Sequence, residues 1–389
     1  MKRIALILFV LLSGIVSSAQ SFDDLAFGTD STFEVMTWNI EWFPKNGAAT
    51  IDYVTQIIDA LDVDLLAIQE VDDISAFNQV ISSLDAYDGY LESSYFAGLA
   101  YIYKTDVLQI NDIYEIYTSQ PYWSPFPRSP MVLDLNFLGE RIIVFNNHFK
   151  CCGDGKLDQE DSKDEETRRS IASGLLKKYI DENLPDQNAI VLGDLNDILT
   201  DKRENNVFQM FLDDSLNYFF PDYGIAMDKE SEWSYPSWPS HIDHILITNE
   251  LFDEFEREGS EIQILKLEQH LPGEWEIYDK NISDHRPLAM KLVMDVATNK
   301  TDFRETAVHF AAYPNPVRSE TNFSFHIPEG KRIIEIINIQ GQVVFSDEIA
   351  EGANSYFWST AYLPRGMYVA KLMVDRQLVA TLKILISGD

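Results

Sequence analysis

Ala189-Ile190-Val191-Leu192-Gly193-Asp194-Leu195-Asn196 runs without interruption from apolar residues into a turn that carries a carboxylate and an amide. An apolar run this short, closed by Gly, Asp and Asn, reads as a strand buried on both faces. Upstream of it, Arg169 to Ile180 has helical spacing. The same order occurs earlier in the chain. Phe33 to Trp38 is strand-like, Ile51, Val54, Ile57, Ile58 and Leu61 share one helical face, and Leu65-Leu66-Ala67-Ile68 forms a second buried strand ending in Gln69-Glu70. Two β-α-β units that each end on a carboxylate predict an α/β fold. Side chains at strand ends commonly project into one cleft, so Glu70 and Asp194 become candidates for a single site.

Working outward, polar residues close several more apolar runs. In chain order the strand-end motifs are Trp38-Asn39-Ile40-Glu41, Ile68-Gln69-Glu70, Asn146-Asn147-His148, Gly193-Asp194-Leu195-Asn196, His241-Ile242-Asp243-His244 and Ser283-Asp284-His285-Arg286-Pro287. A single Asp or Glu is usually solvated surface, but an oxygen-rich series suits a hard cation such as Mg²⁺ or Mn²⁺. Histidines among carboxylates can polarise phosphoryl oxygens or move protons near neutral pH. Asn39 could instead cap a turn, although its strand-end place beside Glu41 favours function. Asp243 lies among Ile242, Ile245 and Ile247, where a buried carboxylate needs a partner. His244 stays undecided, His241 is open between substrate contact and surface, and His270, His309 and His326 lack a motif and read as structural. Trp233, Tyr235 and Trp238 either line the cleft or pack locally.

Taken together, these motifs resemble the endonuclease/exonuclease/phosphatase superfamily. The resemblance implies a four-layered α/β sandwich of two mostly antiparallel sheets flanked by helices, with the site at one edge. It implies a metal, Mg²⁺ or Mn²⁺, on Glu70 with Asn39 and Asp284, and Glu41 as a further ligand or support. It also implies that Asp194 orients or deprotonates the attacking water, that Asn196 holds that water, and that His285, fixed by Asp243, contacts the scissile phosphate. His148 would donate to another phosphoryl oxygen. Arg128, in Pro127-Arg128-Ser129-Pro130, resembles a phosphate-contacting arginine of the deoxyribonuclease-like members.

The two ends of the chain have other roles. Lys2 and Arg3, the apolar run Ile4 to Leu12 and Ser17-Ser18-Ala19 read as an export signal. That run is shorter than the ~20 residues a bilayer span needs, so no transmembrane segment is expected. The expected division is a signal at 1–19, an N-terminal segment at 20–32, a catalytic domain at 33–296, a linker at 297–310 and a small all-β sandwich at 311–389. Within the last, Tyr313-Pro314-Asn315-Pro316, Ile339-Gln340-Gly341-Gln342 and Leu363-Pro364-Arg365-Gly366 resemble landmarks of the type IX secretion sorting domain. The resemblance implies recognition by that machinery and a secreted or cell-surface location. The competing reading is a carbohydrate- or protein-binding sandwich.

Nearly all of the net charge of −33 falls between the signal and this last domain. A chain this acidic lacks the broad basic surface that draws in nucleic acid or anionic membrane, so a polyanion must be gripped locally. Cys151-Cys152-Gly153-Asp154-Gly155 opens a stretch to Glu166 with seven acids and two lysines. It is either a structural Ca²⁺ loop or a solvated acidic loop, and its spacing departs from that of an EF-hand. The adjacent cysteines are a strained disulfide, free thiols or a metal contact. The leading expectation is a secreted, monomeric, metal-dependent nuclease acting on DNA or RNA. A sphingomyelinase-like or other small phosphoesterase is the alternative, and it would use the apolar segment Tyr122-Trp123-Ser124-Pro125-Phe126-Pro127 at a membrane. A non-catalytic binding module comes third.

Overall fold

The computed structural model describes residue 22, residues 25–29, 31–91 and 98–294, and most of 309–386. The export signal and most of the linker expected at 297–310 lie outside the described residues. The chain divides into two compact units, Met1–Ala297 and Thr298–Asp389.

The first unit contains β1 (Phe33–Phe43), α1 (Ala48–Leu61), β2 (Leu65–Val71), α2 (Ile74–Ser82), β3 (Tyr87–Leu91), β4 (Gly98–Lys104), β5 (Gln109–Glu115), β6 (Met131–Phe137), β7 (Glu140–His148), α3 (Glu165–Asn183), β8 (Asn188–Asp194), β9 (Tyr218–Phe219), β10 (Asp243–Thr248), β11 (Glu261–Ile264) and β12 (Leu288–Leu292), with shorter helices between. Two six-stranded sheets result, ordered β11-β12-β1-β2-β4-β3 and β5-β6-β7-β8-β10-β9. Each has one parallel pair, β1 with β2 and β7 with β8, and antiparallel neighbours otherwise. Those parallel pairs are the two β-α-β units, crossed by α1 and α3, because parallel strands need a long connection.

Residue alternation builds the layers. Val35, Leu65 and Ala67 pack between the sheets against Leu133, Val144, Ile190, Leu192 and Ile245. Their neighbours Met36, Leu66 and Ile68 face outward onto Val54, Ile57, Ile58 and Leu61 of α1. On the other side Val191, Ile143 and Phe145 face Ala172, Leu176 and Ile180 of α3. The order is therefore helix, sheet, sheet, helix, and the apolar run at 189–192 is explained by cover on both faces. Asp73 starts α2 by accepting from the N–H groups of Ser75 (2.8 Å) and Ala76 (3.0 Å).

The second unit is all β. Strands β13 (His309–Tyr313), β14 (Glu320–His326), β15 (Arg332–Asn338), β16 (Val343–Ile349), β17 (Ser355–Ser359), β18 (Gly366–Val374) and β19 (Gln377–Ile386) form a three-stranded sheet, β13-β14-β17, and a four-stranded one, β16-β15-β18-β19. Phe323, Trp358, Ile334, Ile336, Leu372 and Ile384 fill the core they share.

A buried acid pair in the first unit makes stability depend on pH. Glu34 of β1 is fully buried, and its carboxylate accepts from Thr32 and from the Thr29 N–H (3.2 Å). Burial, reinforced by neighbouring Asp64, pushes its pKa up to about 8. Because the folded value lies above the unfolded one, the proton's contribution is complete below the unfolded value and is lost as pH rises through about 8. Urea midpoints of the wild type should therefore fall between pH 6 and pH 9. Glu34→Gln should flatten that decline, with a difference at the alkaline end on the order of 2 kcal/mol. Parallel pH curves for the two proteins would refute this account of Glu34.

Candidate active site

All six strand-end motifs meet at one edge of the sandwich. The parallel strands β1, β2, β7 and β8 deliver their C-terminal ends there, and the antiparallel β10 and β12 deliver their starts. Register pairs Asn39 with Gln69, His148 with Asp194, and Asp194 with Asp243. Gly193 permits the close approach of β7 to β8, since a Cβ there would lie 1.9 Å from the Asn147 carbonyl oxygen. At the strand ends Glu41, Trp42, Glu70 and Asn196 all take positive φ, a conformation that costs free energy outside glycine. Side chains of the site hold several of these turns. The N–H groups of Glu41, Trp42 and Asn196 donate to Asn39 Oδ1 (3.0 Å), Glu70 Oε2 (3.1 Å) and Asp194 Oδ1 (3.1 Å).

Buried amides fasten the two sheets behind the site. Gln69 Nε2 donates to Asn146 Oδ1 (2.8 Å), and Asn146 Nδ2 donates to the carbonyls of Ile68 and Ala100 (3.0 Å each). Ser283 Oγ donates to the Asn39 carbonyl (2.6 Å), and Tyr278 Oη donates to the His285 carbonyl (2.6 Å) while accepting from Trp38 Nε1. Such a network holds strand ends in place because leaving any member unpaired in the interior is costly.

In front of it, Asn39 Nδ2 donates to both Glu70 Oε1 (3.1 Å) and Asp194 Oδ2 (3.0 Å). Asn39 thus presents its N–H groups to the carboxylates and its oxygen to the backbone. His285 Nδ1 lies 2.8 Å from Asp243 Oδ2, and its Nε2 lies 3.9 Å from both Asp194 Oδ2 and Asp284 Oδ1. Burial alone would depress the His285 pKa, but Asp243 and Asp194 overcome it and hold the imidazolium up to about 10. His148 Nε2 is 3.4 Å from Asp194 Oδ2 and 3.8 Å from Glu70 Oε1. Burial, with the cations of Arg128 and His285, keeps the His148 pKa well below its ordinary value. Asp194 is pushed up to about 7 by burial, with Asp243 and Glu70 adding to the rise and His285 and the Asn39 amide opposing it. Glu41 is also raised to about 7, by burial and by Asp284, despite its ion pair with Lys45.

These groups surround a cavity of about 440 Å³ whose walls include Glu41, Glu70, His148, Asp194, Asn196, Asp284 and His285. Cys151, Cys152, Tyr235, Ile242 and the exposed rings of Trp42 and Trp238 complete it. Trp233 turns away, its indole donating to the Ile225 carbonyl. Arg128 lines a neighbouring cavity of about 590 Å³ with Trp123 and Phe126. Its guanidinium is lowered by burial and supported by Glu70 and Asp194. Among the described residues, the tight clusters of possible metal ligands are Asp194-Asp243-His285 and Asp222-His241-His244, while Glu41, Glu70 and Asp284 are spread more widely around the cavity. Oxygen donors crowded closely enough to raise one another's pKa suit a divalent cation between them.

The second cluster escaped the sequence reading because Asp222 carries no motif. Its Oδ2 lies 3.0 Å from His241 Nε2 and 2.6 Å from His244 Nδ1, and its Oδ1 accepts from the Ile245 N–H (3.1 Å). His244 Nε2 meets the Asp197 carbonyl at 2.8 Å. Both ring nitrogens of His244 therefore face acceptors, which describes a buried ion pair bracing the Asp194–Asp197 turn. Arg169 braces the same turn from α3, with its Nε 2.8 Å from Asp197 Oδ2 and its Nη2 3.2 Å from Glu166 Oε1. In the acidic loop, Asp164 caps α3 by accepting from the Thr167 N–H (2.7 Å), and Glu166 accepts from the Gly155 N–H (2.7 Å).

Residues 36–285 match the family model for the Endonuclease/Exonuclease/phosphatase family. The chain belongs to that family. Its members are hydrolases acting on phosphoester bonds and depend on metal. Residues 311–387 match the secretion system C-terminal sorting domain, which indicates export through the type IX system to the surface or beyond. No curated protein matches the sequence. Among solved structures, D. rerio TDP2 complexed with single strand DNA product is similar with a TM-score of 0.51 and 12% identity, covering 68% of this chain and 100% of that one. A humanized D. rerio TDP2 carrying 14 mutations gives 0.50 and 12%, with the same coverage. At such identities the likeness is one of fold. None of the described helices is long and apolar enough to cross a membrane.

Proposed function

We propose that this family member is an exported, metal-dependent phosphodiesterase that hydrolyses DNA or RNA by attack of water. The observation that carries the reading is the meeting of Asp194, His148 and His285, the last held by Asp243, on one cavity that Glu70, Glu41 and Asp284 also line. Asp194, with a pKa near 7, is matched to taking a proton from water at neutral pH. Asn196, whose N–H donates to Asp194 and which lines the same cavity, would hold that water. His285 keeps Nδ1 on Asp243 and turns Nε2, as part of an imidazolium, toward the place of a phosphoryl oxygen. His148 offers a neutral N–H to another. Glu70 and Asp284, with Glu41, would hold the divalent cation, Mg²⁺ or Mn²⁺, whose charge offsets that of the phosphate.

The preference for polynucleotides rests on the rim. Trp42 is 45% exposed and Trp238 78%, and such rings stack on bases irrespective of sequence. A membrane substrate has less support: among the apolar and aromatic residues of 122–127 only Trp123 is well exposed, at 55%, and Phe126 is buried.

The chain should cut plasmid DNA or RNA with Mg²⁺ or Mn²⁺, and lose that activity in EDTA. Gel assays beside bis(p-nitrophenyl) phosphate and sphingomyelin check this. Turnover of either small substrate with both polynucleotides intact would sink the nuclease reading.

A further inference from the structure

Directly after His148 and Phe149 come Lys150, Cys151 and Cys152. Both thiols are free, exposed and on the wall of the cavity that holds Glu70, Asp194 and His285. Side chains of adjacent residues in an extended chain point to opposite sides. Here Cys152 has a φ of 73°, and the two Sγ atoms lie 2.9 Å apart. Cys152 Sγ donates to Cys151 Sγ, and Lys150 Nζ stands 3.5 Å from Cys151 Sγ, so the two sulfurs are already within reach of one another beside a cation.

We propose that Cys151-Cys152 is a reversible oxidation site for small-molecule disulfides, and that its closure slows the enzyme. The Cys151 thiolate attacks one sulfur of the oxidant, forming a mixed disulfide and releasing one thiolate. Cys152 then gives up its proton and attacks Cys151 Sγ, closing the bridge and releasing the second. The protein loses two protons and two electrons, together two hydrogen atoms, and the oxidant leaves as two thiols.

The pair is coupled to the site through the backbone. Arg169 Nη1 donates to the carbonyls of Lys150 and Cys152 at 2.7 Å each, while its Nε is tied to Asp197. The Phe149 N–H donates to the Asp194 carbonyl at 2.9 Å, and Asn196 Nδ2 donates to the Phe149 carbonyl at 3.3 Å. Closing so small a ring turns the Cys151–Cys152 peptide against these anchors. Its thrust falls on His148, Asp194 and Asn196.

The effect on turnover rests on the proposed phosphodiesterase activity, whereas the thiol chemistry does not. The full chain is incubated with oxidised glutathione, then read by intact mass, by thiol titration and by hydrolysis of bis(p-nitrophenyl) phosphate. Expected are a mass loss of two hydrogens, no titratable thiol, and turnover lower by about tenfold or more, as small displacements at reacting groups produce. A phosphine reductant should restore all three. In Cys151→Ser and in Cys152→Ser no bridge can close, so the same treatment should give no loss of two hydrogens, and any glutathione adduct on the remaining thiol should be removed by the reductant. A lasting glutathione adduct, a bridge between two chains, or a closed bridge with unchanged turnover would overturn the proposal. Absence of hydrolysis in the fully reduced wild type would instead count against the phosphodiesterase reading, with the mass readout still deciding the thiol chemistry.

Discussion

Replacing His285 by alanine is expected to lower kcat on bis(p-nitrophenyl) phosphate by at least ~100-fold, the usual effect of deleting a group that stabilises charge in the transition state. The imidazolium owes its charge to two carboxylates, Asp243 at 2.8 Å and Asp194 at 3.9 Å, working against burial. Its Nε2 is the atom left to face substrate. Asp243, by contrast, is turned to His285 and does not line the cavity, so it acts through the ring. Asp243→Asn should therefore also reduce kcat, but Asp243→Asn combined with His285→Ala should be barely worse than His285→Ala alone. Additive losses, or wild-type turnover in His285→Ala with an unchanged melting curve, would remove His285 from the reaction.

Much of this geometry was legible because chemistry and topology share a period. Each β-α-β unit announces its second strand as an apolar run, and the run's end falls where the strand leaves its cover, so Glu70 and Asp194 stand out against Ile68 and Leu192. Distance in sequence hid more. Asp222 looks like any surface acid in Phe220-Pro221-Asp222, yet it is fully buried against His241 and His244. No local pattern announces partners 19 and 22 residues further along the chain. Asn146 and Asn147 did carry a signal, being buried amides at the end of an apolar strand where each needs a bonding partner. Ile68 and Ala100, the partners of Asn146, come from the facing sheet, and Leu192, a partner of Asn147, from the neighbouring β8, so both the packing of the sheets and the register had to be known. Arg169 lies on a helix of weak amphipathic pattern, and its burial is explained by ion pairs with Glu166 and Asp197 and by its bonds to the Lys150 and Cys152 carbonyls. In Asn39 the residue type was readable and the orientation was not, since its amide nitrogen rather than its oxygen faces Glu70 and Asp194.

That orientation shapes the expectation for Glu70. Its Oε1 accepts from Asn39 and its Oε2 from the Trp42 N–H, so the carboxylate is held from both sides at a strained backbone position. Glu70→Ala should weaken Mn²⁺ binding, measured by calorimetry or by electron spin resonance of the free ion, and should lower kcat at least ~100-fold at fixed cation. Higher Mn²⁺ should recover part of the loss, because Asp284 and Glu41 still face the same cavity. Asp194→Asn provides the contrast. It removes the proton acceptor while leaving Glu70, Glu41 and Asp284 in place, so it should cost turnover that added cation does not restore. If Glu70→Ala bound Mn²⁺ like the wild type, or if extra cation rescued Asp194→Asn as well as Glu70→Ala, the division of labour between the two carboxylates would be wrong. Such a result would shift the cation toward the tight Asp194-Asp243-His285 cluster.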